Sequence, residues 1–132
     1  MKKIALILVA ALVLTLLTVS CKKKKEEPAT PKKTYAELVV GRWMTSDGGH
    51  FEVYEADGTG HMWDPADDVT EDEADTFNWE IDESSKQMTQ IIHSQELGFD
   101  IPQYCNILIL NESTLKYNNE AIRAEYTLTR VK

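Results

Sequence analysis

The chain has 132 residues, room for one domain and little else, and a formal net charge of −8. The charge is unevenly spread: from Thr34 to Lys132, six basic residues stand against twenty acidic ones, a balance of −14. Such a surface repels phosphate backbones and forgoes the counterion release that drives nucleic-acid binding, so DNA and RNA are excluded as partners.

Lys2 and Lys3 precede an apolar run from Ile4 to Val19. The run is shorter than the roughly 20 residues of a bilayer span and suits a secretory leader. It ends in Leu17-Thr18-Val19-Ser20-Cys21, which resembles the lipobox of bacterial lipoproteins, with Thr18 where Leu is usual. The resemblance implies that the Cys21 thiol takes a diacylglycerol and that cleavage after Ser20 frees its amino group. Several acyl chains, at about 0.8 kcal/mol per buried methylene, would then anchor the mature chain to a membrane. The expected organisation is a signal peptide over 1–20, a lipidated charged tether over 21–33 and a folded domain over 34–132. Lys22-Lys23-Lys24-Lys25-Glu26-Glu27 is similar to the surface-export tag of lipoproteins in Bacteroidetes-type bacteria, which implies an outer-membrane protein exposed at the cell surface. The other reading of this segment is a tether kept extended by its own charge. With Cys21 assigned to lipidation, Cys105 is left single and reads as a small buried residue of a strand.

Thr34-Tyr35-Ala36-Glu37 has the pattern of a capping box, followed by a short helical turn that Gly41 stops. Beyond it no helical period is sustained. Strands are expected over Arg42–Ser46, His50–Ala56, Thr59–Asp64, Thr76–Asp82, Gln87–Ser94, Ile101–Leu110, Thr114–Tyr117 and Ala121–Val131. Turn residues separate them: Asp47-Gly48-Gly49, Asp57-Gly58, Glu83 to Lys86, Asn111 to Ser113 and Asn118-Asn119. Asp57-Gly58 suits a two-residue type I′ hairpin, in which both central residues take positive φ and His61 faces Tyr54. Alternation is clearest in Phe77-Asn78-Trp79-Glu80-Ile81. Eight short strands joined by hairpins predict an all-β, antiparallel up-and-down meander, and closing it into a small barrel removes its exposed edges.

Gly41-Arg42-Trp43 looks like the Gly-X-Trp motif that opens the first strand of lipocalins. The chain is most similar to short lipocalin-like domains of Bacteroidetes lipoproteins. The matching features are Trp43, Tyr54 with Asp57-Gly58, Phe77-Asn78-Trp79 and Thr114-Leu115, spread over Tyr35–Val131. The resemblance implies that Trp43 plugs the barrel base with Arg130 across its ring, a contact of about 0.5–2 kcal/mol. It also implies a small apolar or amphipathic ligand in the barrel. Trp43, Phe51, Val53, Phe77, Trp79, Ile92, Tyr104, Tyr117 and Leu128 are the candidate lining residues, with Met88 and Leu115 completing the interior set. In the second strand either Phe51 and Val53 or Glu52 and Tyr54 face inward; the second choice places a carboxylate inside.

The acidic run Asp64, Asp67, Asp68, Glu71, Asp72, Glu73, Asp75 reads as a solvated rim loop or a weak calcium site, although it lacks the order of an EF-hand. His50, His61 and His93 have no metal-ligand spacing. No nucleophile elbow, phosphate loop or metal motif is present, so neither enzymatic activity nor a cofactor is expected. The leading expectation is a membrane-anchored carrier of a small ligand; the alternative is a surface platform whose acidic rim meets a partner.

Overall fold

The computed structural model describes residues 30–132; the expected leader, Cys21 and most of the expected tether lie outside the described residues. A single α-helical turn, α1 (Tyr35–Val39), is followed by β1 (Gly41–Thr45), β2 (Phe51–Tyr54), β3 (Thr59–Trp63) and β4 (Asp75–Asp82). The second half holds β5 (Gln87–Ser94), β6 (Phe99–Leu110), β7 (Thr114–Asn119) and β8 (Ala124–Arg130). Each strand pairs antiparallel with the next, and β8 returns to β1 through Trp43↔Arg130, closing the barrel. This is the expected eight-stranded, up-and-down all-β architecture, with strand bounds within a few residues of those read from the sequence.

One end is plugged. Thr34 caps α1 by accepting from the Glu37 N–H at 3.2 Å, while the Glu37 carboxylate accepts from the Thr34 N–H at 2.8 Å, the reciprocal capping box. The helix is too short to hold itself together. Val39 is buried against the barrel base, and the Trp43 Nε1–H donates to the Val39 carbonyl at 2.7 Å. Arg130 lies 4.2 Å from the centre of the Trp43 ring and donates to the carbonyls of Leu38, Val40 and Glu112. The planar guanidinium fork bonds all three carbonyls at once, which a single ammonium could not match in geometry. Lys33 pairs with Glu112 on the same end at 2.7 Å.

The β2–β3 connection departs from the expected type I′ turn. Asp57 keeps a negative φ and only Gly58 is left-handed, at φ 85°. Gly58 N–H bonds to the Glu55 carbonyl, and Asp57 Oδ1 accepts from both the amide and the hydroxyl of Thr59. A turn ending on a left-handed glycine leaves one more residue in the loop than the two-residue form. The register becomes Tyr54↔Gly60 and Val53↔His61. Paired with Trp43 and Gly41 on one side and with Met62 and Gly60 on the other, Glu52 and Tyr54 face inward, and Phe51, Val53 and His61 outward. Gly60 is required here, because a Cβ would overlap the Phe77 ring and the Val53 carbonyl.

Candidate functional site

The end opposite α1 is formed by four loops: 46–50, 64–74, 95–98 and 120–123. They carry Asp47, Asp64, Asp67, Asp68, Glu71, Asp72, Glu73, Glu96 and Glu120, against Arg123 and His50. Beneath them lies a buried polar chain. Glu52 is fully buried. Its carboxylate accepts from the Tyr54 hydroxyl at 2.6 Å, from the Tyr117 hydroxyl, and from His50 Nε2 at 2.9 Å. Gln90 donates to the Tyr54 oxygen at 2.6 Å, and its own carbonyl faces the Cys105 thiol at 3.8 Å. His50 Nδ1 meets Asp64 Oδ1 at 2.6 Å, tying the β1–β2 and β3–β4 loops to the interior.

Both ring nitrogens of His50 face carboxylates, so both act as donors and the imidazole is protonated. Burial alone would push its pKa down, but the hydrogen bonds and charges of Glu52 and Asp64 outweigh that and hold it up at about 9. Burial and the nearby Glu52 charge push the hydroxyls of Tyr54 and Tyr117 well above their ordinary range, keeping them as donors. Burial, and then Glu52, push the Cys105 thiol up to about 12, which leaves it protonated and unreactive. Among the described residues, every buried side-chain nitrogen and oxygen has a partner. A network satisfied in this way fixes a unique core arrangement.

The interior is filled. Trp43, Tyr54, Met88, Leu115, Leu128 and Glu52 all have 0% exposure. An internal void large enough for water would leave surface on the residues lining it, so no such void borders these six. Of the expected lining residues, Trp43, Phe77, Ile92, Tyr117 and Leu128 are buried in this core, and Trp79 packs against it. Three are placed otherwise. Phe51 and Val53 lie on the outer face of β2, where Val53 is nonetheless buried and Phe51 stacks on Trp63 at 4.8 Å. Tyr104 is opposite Thr89 on the outside and is 46% exposed. The apolar run of β6 covers both faces, and a bulge between Ile107 and Ile109 puts Leu108 and Ile109 outside as well.

The acidic run lies at the rim, largely exposed, and contains two short turns. Pro65–Asp67 and Glu71–Glu73 each form a 3-10 turn, the second capped by Thr70 and Glu73 reciprocally. Glu71 pairs with both Arg42 and His61, the latter at 3.0 Å, and these bonds hold its carboxyl below the usual range. Arg42 in turn sits 5.0 Å from the centre of the Trp63 ring. The loop is therefore clamped to the outer wall at Glu71 and to the core at Asp64. Each histidine meets carboxylates: His50 with Glu52 and Asp64, His61 with Glu71, and His93 with Asp100 at 2.7 Å. A concavity of about 570 Å3 lies on the outer wall, lined by His61, Glu71, Asp72, Thr76, Asn78 and His93 among others.

Sequence reasoning missed the chain from Asp64 through His50 and Glu52 to Gln90. The one available signal was Glu52 alternating with Tyr54 in a strand, and it needed the register to be resolved. Comparison with family models, with curated proteins and with solved structures finds no match.

Proposed function

We propose that this chain is a lipocalin-like lipoprotein, acylated at Cys21 and held at the outer membrane, whose closed barrel serves as a non-enzymatic interaction platform. An eight-stranded barrel is a scaffold suited to ligand binding or to protein contact. The observation that favours contact is the packed interior, where the volume a carried ligand would need is occupied by Trp43, Tyr54, Met88, Leu128 and the hydrogen-bonded Glu52. The surface on offer is the acid-rich open end, held in shape by the His50 and Glu71 clamps.

Two measurements test this reading. Native mass spectrometry and apolar dye titration of the purified mature protein are expected to show no stoichiometric small molecule; a bound lipid in the barrel would overturn the platform reading. Crosslinking on intact cells is expected to capture a partner whose yield falls with salt and in the Asp67→Asn/Asp68→Asn/Asp72→Asn variant. These three positions leave both clamps untouched, so an unchanged yield would reject the acidic end as the contact surface.

A further inference from the structure

At the open end β6 outruns its neighbour. The β6–β7 ladder begins only at Cys105↔Asn119, and the last backbone bond between the two runs from the Glu120 N–H to the Tyr104 carbonyl at 2.9 Å. On the other side, β5 pairs with β6 out to Ser94↔Phe99. Phe99 to Gln103 is therefore an edge strand set in the wall of an otherwise closed barrel. Backbone groups alternate sides along an antiparallel strand. Since Tyr104 turns its carbonyl toward β7, its N–H, the N–H and carbonyl of Asp100 and the carbonyl of Pro102 point to a side that, among the described residues, no strand occupies. Pro102 occupies a position whose N–H the β5 ladder does not use, the place where an edge strand tolerates proline.

The side chains around this edge have two chemistries. Phe99 is 60% exposed on the inward-facing side of the strand, next to Ile101. Asp100 is exposed on the outer side, and Glu96 and Glu120 stand at the two nearby turns. A second copy pairing edge to edge antiparallel would bring together two sets of these acids and oppose two prolines, so the charges disfavour self-association. We propose that this edge receives a β-strand from a basic partner protein. Apolar residues of that strand would cover Phe99 and Ile101, and alternating Lys or Arg would face Asp100. Main-chain bonds would give the affinity and the period-2 alternation the selectivity. The inference rests on the platform reading and names its partner chemistry.

The test uses the full mature protein and a synthetic probe, Lys-Val-Lys-Val-Lys-Val-Lys, with a second peptide N-methylated at every other residue on the pairing edge. The expected result is slowed amide exchange at Asp100 and Tyr104 on adding the first peptide, no binding of the N-methylated one, and about fivefold weaker binding to Asp100→Lys. Equal binding of both peptides would overturn strand addition, because side-chain charge alone would then explain the affinity. Unchanged exchange at Asp100 and Tyr104 would overturn it also. Either failure leaves the salt-sensitive cell-surface capture untouched, so the two readings fall separately.

Discussion

His50 is the side chain at which the fold and the open end meet, and its proton should make the barrel's stability depend on pH. The rise from 6.5 to about 9 means that the folded state holds this proton more tightly than the unfolded chain does. The contribution is complete below pH 6.5 and is lost as pH climbs through about 9. At about 1.4 kcal/mol per pH unit the loss is about 3 kcal/mol. Solvent screening subtracts little, because the His50 side chain is only 12% exposed. The perturbation is His50→Gln, which leaves Glu52 its two tyrosine donors and removes the titrating group. Urea unfolding of both proteins at pH 6 and pH 9 measures the effect. The Cys105 thiol adds a pH dependence of its own above about 8.5, but it is common to both proteins and cancels in the comparison. The native protein should lose about 3 kcal/mol more than the variant between the two pH values. Parallel losses would show that His50 does not bridge Asp64 and Glu52 as a cation.

Other substitutions probe the remaining joints. Arg130→Met removes the cation over Trp43 and three donors to carbonyls, and should lower unfolding stability by about 2–3 kcal/mol in urea. Gly60→Ala should cost about 2 kcal/mol or more through overlap with Phe77, and Phe77→Leu in the same chain should return part of that loss, as read from thermal unfolding. Cys105 should resist a thiol reagent in the native protein and react at once in denaturant; rapid native labelling would contradict its burial. Cys21→Ser should move the chain from the detergent phase to the aqueous phase on phase separation of cells, and recovery in the detergent phase would remove the lipid anchor from the proposal.

The strands were legible because their turns are written in Gly, Asp, Asn and Ser, and because Phe77-Asn78-Trp79-Glu80-Ile81 alternates openly. The capping box was legible too, since Thr34 with Glu37 is a local pattern, whereas the Trp43–Arg130 plug was implied only by the resemblance of Gly41-Arg42-Trp43 to a lipocalin motif. The buried carboxylate was not. Phe51-Glu52-Val53-Tyr54 reads most simply with its apolar pair inside, but its pairing with both neighbouring strands sets Glu52 beside the inward Trp43. Phe51 finds its apolar surroundings on the outer wall against Trp63, under a loop that composition alone describes only as acidic. Tyr104 belongs to a stretch that is apolar on both faces, where period-2 reasoning has nothing to separate.

The position of the plug has a consequence for how the molecule presents itself. Lys33 pairs with Glu112 of the β6–β7 turn at the α1 end, and the strands run from there to the acidic loops at the other. The carboxylate-studded lip and the overhanging Phe99 therefore stand a full strand length from α1. A substitution in the Trp43–Arg130 plug acts on the barrel from the end farthest from that lip.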